Sequence, residues 1–186
     1  QLGVQAIMVT GSHIPDDRNG LKFYRSQGEI DKLDEARILS WHAMLNLERV
    51  PAEPVALRPY DALSAYRTRY IDFFGADALR GLTVGVYQHS AVGRDLIYDL
   101  LAALGASPVA LGRAEQFVPV DTEALRPEDV ALATQWARTQ NFDAIVSTDG
   151  DGDRPLIADE AGRFLRGDLI GALTATALEA DAIVTP

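Results

Sequence analysis

The 186 residues include no cysteine, which removes disulfides, zinc thiolate sites and thiol nucleophiles in one step and leaves the redox compartment open. Uninterrupted apolar runs all fall short of the ~18 residues a membrane-spanning helix needs, so no membrane partner is expected. Positive charge is scarce too: 27 acidic against 17 basic residues give a net charge of -10. With no basic patch in view, a nucleic-acid backbone would be repelled, and no nucleic-acid partner is expected. No charged-then-apolar leader opens the chain, so a cytoplasmic location is the expectation. Internal repeats and low-complexity tracts are absent from the sequence. What remains is 47% hydrophobic and 24% charged, a composition that suits one to two globular domains and not a disordered segment. The chain opens at Gln1 without a methionine and ends at Pro186 beside an apolar run. It is therefore expected to be a piece of a longer protein.

The apolar, β-branched run 4–9 reads as a strand that ends in a polar turn, Thr10 to Pro15. A second strand is expected at 21–25. Over 30–47 the apolar positions Ile30, Leu33, Ile38, Trp41 and Leu45 approximate helical spacing, with Asp31, Asp34 and Glu35 placed for the first turn. Pro51, Pro54 and Pro59 then forbid regular structure, which makes 50–59 the linker candidate. A helix at 62–74 precedes an alternation: strand 82–87, helix 92–104, strand 108–111, helix 127–140, strand 144–147. Strands separated by helices imply crossover connections, so an α/β fold with mixed, largely parallel sheets covered by helices is predicted. A strand pair at 156–158 and 163–165, a helix from an Asp168 N-cap to Ala180 and a final strand complete the expectation.

The densest chemical signal is Asp149-Gly150-Asp151-Gly152-Asp153-Arg154, directly after a strand. Three carboxylates at alternate positions repel one another unless a cation neutralises them, and the glycines let the backbone curl so that all three can point inward. Oxygen-only donors favour a hard divalent ion, magnesium first, then calcium or manganese. A solvated acidic turn is the bland alternative. A calcium loop of the EF-hand type is the sharper one, since Asp149, Asp151, Asp153 and Glu160 occupy its first, third, fifth and twelfth positions. That loop requires glycine at its sixth position, which here is Arg154, and the preceding segment reads as a strand and not as an entering helix.

A second loop runs from Thr10 through Ser12 and His13 to Lys22. Ser12 is a candidate nucleophile, although adjacent residues on a turn rarely face each other as nucleophile and base, and a turn or capping serine is the competing reading. Only Lys22 and Lys32 among the 17 basic residues are lysines. Lysine can lose its proton to act as a base, whereas arginine stays charged. Lys22 lies ten residues after Ser12, at the start of the next expected strand.

Ser12 within Thr-Gly-Ser-His-Ile-Pro, Asn19-Gly20-Leu21-Lys22, and the Asp149–Arg154 loop after a strand, in this order, resemble the α-D-phosphohexomutases, the phosphomannomutase and phosphoglucomutase family. The resemblance extends over essentially the whole chain. It implies that Ser12 is the phosphoserine that exchanges its phosphoryl group with a hexose phosphate through a bisphosphate intermediate. It further implies a Mg2+ held by Asp149, Asp151, Asp153 and an oxygen of phosphorylated Ser12, with Lys22 as general acid/base. Arg154 would lie beside the phosphoryl group and His13 would line the site. Glucose or mannose bisphosphate is the implied activator, a hexose phosphate the substrate, and phosphoglucosamine the nearest alternative sugar. Gly11 and Ile14 depart from the family's commonest string, Thr-Ala-Ser-His-Asn-Pro, and Ile14 loses any polar role at its position. The family has four domains, so residues 1–58 would be the C-terminal half of the first, 59–160 the second, with the metal loop, and 161–186 the start of the third. A fragment of that extent is expected to turn over little or no substrate. The reading from a different class is a non-catalytic magnesium- or calcium-binding module.

Overall fold

The computed structural model describes residues 3–11, 17–45, 56 and 59–184. These divide into two compact units, the first holding three strands and a helix, the second everything from residue 62 onward. In the first unit β1 (Ala6–Thr10), β2 (Gly20–Arg25) and the two-residue β3 (Gly28–Glu29) form an antiparallel sheet in sequence order. Register pairs Met8 with Lys22 and Thr10 with Gly20. Helix α1 (Lys32–Met44) starts where Asp31 accepts hydrogen bonds from the Leu33 and Asp34 amides, while the Asp34 carboxylate accepts from the Asp31 amide, a reciprocal capping box. None of its residues is buried, and Leu33 and Trp41, expected on a buried face, are about 60% exposed.

The second unit opens with α2 (Ala62–Phe74) and builds a four-stranded sheet in the order β5-β4-β6-β7. Its strands are β4 (Thr83–His89), β5 (Ser107–Arg113), β6 (Ala144–Thr148) and β7 (Pro155–Ala158). β4 runs parallel to both β5 and β6, and β7 returns antiparallel to β6. The crossovers are α3 (Arg94–Ala103) and α4 (Pro127–Thr139), the latter with proline in its first turn and Glu128 and Asp129 beside it, as the helix dipole favours. β4 is the innermost strand and reads Thr-Val-Gly-Val-Tyr-Gln-His, buried at six of its seven positions. A Cβ at its Gly85 would lie 2.7 Å from Leu111 Cδ1 and 3.2 Å from Ile145 Cγ1, so any larger residue there has to displace core side chains of both neighbouring strands. Tyr87, Leu111, Val120, Ala133, Phe142, Ile145, Leu156 and Ala158 form the core. Burying such side chains stabilises the unit by roughly 1.5–3 kcal/mol for each large one.

The mixed α/β fold is as expected, with parallel pairing, among the described residues, in the second unit alone: in the first, nine residues separate β1 from β2 and two separate β2 from β3, connections shorter than the crossover of about a dozen residues that parallel neighbours need. Other expectations need correction. Segment 163–165 contributes a single bridge, Ala158 to Phe164, instead of a strand. The last helix, α5 (Gly167–Ala177), is capped by Arg166 backbone geometry, not by Asp168, which is already helical and pairs with Arg166 at 2.8 Å. Residues 182–184 form no strand. The proposed linker falls almost wholly outside the described residues, as does the end of the 30–47 helix beyond Leu45.

Candidate functional site

Since β4 leads to β5 on one side and β6 lies on the other, the carboxyl ends of β4 and β6 flank the switch point of the parallel sheet. Crevices outside such ends are where ligands bind in open α/β sheets. The acidic loop stands there, as the connection of the β6–β7 hairpin that closes on the pair Thr148 and Pro155. The Asp149 amide donates to the Arg154 carbonyl at 3.2 Å, and Oδ1 of Asp149 accepts from the amides of Gly152 (3.1 Å) and Arg154 (3.2 Å). Asp149 therefore acts as the internal frame of the turn, and it is only 1% exposed. Gly152 takes φ +82, a conformation open mainly to glycine.

Asp149, Asp151 and Asp153 each present a carboxylate oxygen, all within 4.8 Å of one another, in a gradient from buried through half-buried to exposed. Three hard oxygen donors at that separation fit a divalent cation such as Mg2+, and no soft donor competes. The Arg154 guanidinium donates to Glu123 at 3.1 Å and stands 4.0 Å from Asp153. Lys22 lies half-buried on β2 of the first unit. Ser12 and His13 lie outside the described residues. The structure thus gathers the three aspartates with Arg154, and Lys22 is described within its own unit.

Behind the loop sit residues that no motif pointed to. The fully buried His89 ends β4 and donates from Nε2 to the Thr148 carbonyl at 2.9 Å. Burial pushes its imidazole below the usual histidine range, against the opposing effect of that hydrogen bond, so the ring is neutral at pH 7. Beside it the Tyr87 hydroxyl donates to buried Asp129 at 2.9 Å, and Arg126 donates to both oxygens of the same carboxylate at 2.8 Å. Burial and that acceptor raise the Tyr87 hydroxyl well above the ordinary tyrosine range. The available signal was a histidine, one of only three in the chain, at the end of an expected strand in an α/β pattern.

The family model described as phosphoglucomutase/phosphomannomutase, alpha/beta/alpha domain II, matches residues 65–162, more than half of the chain and the whole of the switch-point sheet. The chain belongs to this phosphoglucomutase/phosphomannomutase family. Within it, a phosphomannomutase from Salmonella muenchen is 50% identical over 186 residues, covering 98% of this chain and 38% of that protein. A phosphoglucosamine mutase from Delftia acidovorans is 31% identical, covering 87% and 37%. A crystal structure of a phosphoglucomutase/phosphomannomutase family protein from Burkholderia thailandensis superposes with a TM-score of 0.73 at 24% identity, over 94% of this chain and 37% of that one, which supports the fold. The chain thus spans about two fifths of the length of the curated family members it matches. Among the described residues no helix is long and apolar enough to cross a membrane.

Proposed function

We propose that this chain supplies the phosphoserine loop and the metal loop of a phosphohexomutase that moves a phosphoryl group between the 1 and 6 positions of a hexose phosphate. The observation that carries the reading is the convergence of Asp149, Asp151 and Asp153 at the sheet's switch point, in a family whose members include the phosphomannomutase at 50% identity. Ser12, once phosphorylated, is the donor: its phosphoryl group passes to the free hydroxyl of the sugar phosphate. The bisphosphate turns over in the site and returns its other phosphate to Ser12, so the serine ends as it began. Lys22 accepts the proton of the attacking hydroxyl and gives it back on the return step, a role open to lysine and closed to arginine. His13 lines the site, and Arg154 offers its guanidinium to the equatorial oxygens of the transferring group once it leaves Glu123.

Asp149, Asp151 and Asp153 would hold Mg2+ together with an oxygen of phosphorylated Ser12. When bound, the ion neutralises charge that develops on the transferring group. Glucose or mannose bisphosphate would prime the serine. Mannose or glucose phosphate is preferred to glucosamine phosphate as substrate because the phosphomannomutase shares 50% of positions and the phosphoglucosamine mutase 31%. A charged, diffusible sugar phosphate fits a cytoplasmic setting. Residues 1–58, 59–160 and 161–186 are read as the end of a first domain, a second domain and the start of a third. On that division the chain alone turns over little or no substrate. The reading is tested by intact mass of the full-length protein after incubation with glucose bisphosphate and Mg2+. One added phosphate on the Ser12 peptide, absent in Ser12→Ala, is expected, and its persistent absence would leave the metal-binding module as the better account.

A further inference from the structure

The acidic loop is held from behind by the turn that follows β4. His89 closes that strand with φ +26, an uncommon conformation for any residue but glycine. There its Nε2–H reaches the Thr148 carbonyl at 2.9 Å. Three residues on, the Val92 amide donates to the Gly150 carbonyl at 3.0 Å. The Thr148–Asp149 and Gly150–Asp151 peptide units are thus each anchored to one short turn. That turn is itself fixed: Arg94 donates from Nη1 to the carbonyls of His89 and Ala114, both at 3.1 Å. Ser90 Oγ accepts from the Val118 amide at 2.8 Å.

The geometry points to His89 as a positioning residue for the cation: its Nε2–H, through the Thr148 carbonyl, sets the direction in which Asp149 enters the metal loop. This inference rests on the metal reading above and extends it to a side chain that touches no ligand. A carbonyl oxygen only accepts, so Nε2 must carry the proton. His89 Nδ1 has no hydrogen-bond partner among the described residues, which leaves the Thr148 contact as the ring's hydrogen-bonding task. Asp149 Oδ1 is engaged by the loop's own amides, so a rotation of the Thr148–Asp149 peptide would carry the carboxylate away from Asp151 and Asp153. Removing a group that orients a ligating residue costs 10–100-fold in metal affinity as a rule.

Mn2+, which suits the same oxygen donors, is the probe: its binding to the 186-residue chain is titrated by the loss of the free-ion EPR signal. His89→Phe, which keeps a ring against Tyr87 and loses the donor, is expected to weaken binding 10–100-fold. His89→Gln, which restores an N–H near the Nε2 position, is expected to recover most of it. Unchanged Mn2+ affinity in His89→Phe overturns the positioning role while leaving the metal reading intact. No binding by the unsubstituted chain overturns both. Because His89→Phe is also open to folding defects, long-range 1H–15N NMR of the unsubstituted chain provides an independent check. The inference requires the Nε2-protonated tautomer, with a shift at that nitrogen on adding Mg2+. A ring protonated at Nδ1, or indifferent to the ion, refutes it.

Discussion

The crowding of the metal loop leads to a prediction of unusual sign. Oxygens of Asp149, Asp151 and Asp153 lie within 4.8 Å of one another, and two unit charges at that distance repel by about 3.5 kcal/mol at an effective dielectric constant near 20 and about 0.9 kcal/mol in water. The higher value suits Asp149 with Asp151, buried and half-buried, and the lower suits Asp153, whose side chain is 47% exposed. Without a cation, Asp151→Asn should therefore stabilise the second unit, by about 1–3 kcal/mol between those limits. With Mg2+ at about 100 times its dissociation constant the original sequence should gain about 2.7 kcal/mol. For a chain of this size that corresponds to roughly 5–11 °C in Tm. The variant should gain far less, so the order of stabilities reverses between EDTA and Mg2+. Trp136 packs 5.2 Å from Tyr87 in the core of the second unit, so urea melts followed by its fluorescence in a Trp41→Phe background report on that unit alone. A destabilised Asp151→Asn in EDTA, or no Mg2+ effect on the original sequence, would refute the reasoning.

Other outcomes follow from the same scaffold. Arg126→Met strips two donors from the buried Asp129 carboxylate. Full burial would make that loss worth 3–5 kcal/mol, and because the arginine side chain is 35% exposed, about 2–3 kcal/mol is expected in urea denaturation. Tyr87→Phe removes one donor from the same charged carboxylate and should cost about 1.5–3 kcal/mol. Gly162→Ala should cost more than Gly75→Ala in thermal melts. Both sit at positive φ, but a Cβ at Gly162 would collide with the Ala133 carbonyl and stand 2.8 Å from the Thr134 Cα, whereas Gly75 faces open space. Stability should also fall as pH drops below about 6.5. Burial lowers the His89 pKa against the favourable Thr148 bond and Asp129, with Arg126 and Arg94 also opposing its charge. Between that lowered value and the ordinary histidine value the unfolded chain binds more protons, so protonation favours unfolding there, by up to about 1.4 kcal/mol per pH unit. Below the lowered value this contribution no longer changes. His89→Phe should flatten the slope, and an unaltered slope would show that other groups cause it.

The alternation of strand and helix from 82 to 148 was legible because each segment carries its own local signal: β-branched runs for β4 and β6, Pro127 and two acids opening α4. The acidic loop was equally plain, since three carboxylates with interleaved glycines are unusual on any backbone. Strand direction in the first unit was not legible, because a short apolar run reads alike in parallel and antiparallel pairing. The segments 163–165 and 182–184 are apolar enough for strands, yet a strand exists only where a partner strand satisfies its backbone. Asp168 fitted a cap by residue type, but the helix opens two positions earlier, at Arg166, on backbone geometry with no side-chain cap hydrogen bond.

By itself the sequence determined the residue types that chemistry needs: oxygen donors without thiols, a lysine where almost all other cations are arginine, and a serine loop and an aspartate loop in one chain. Those are properties of side chains and their spacing, and they survive unfolding. Only the tertiary structure decided that the aspartates close to within 4.8 Å at a switch point, and that His89 and Val92 brace the loop. His89 and Thr148 are 59 residues apart. Such a contact comes from the parallel pairing of β4 with β6 across a crossover, and no local pattern encodes which strand will lie beside which.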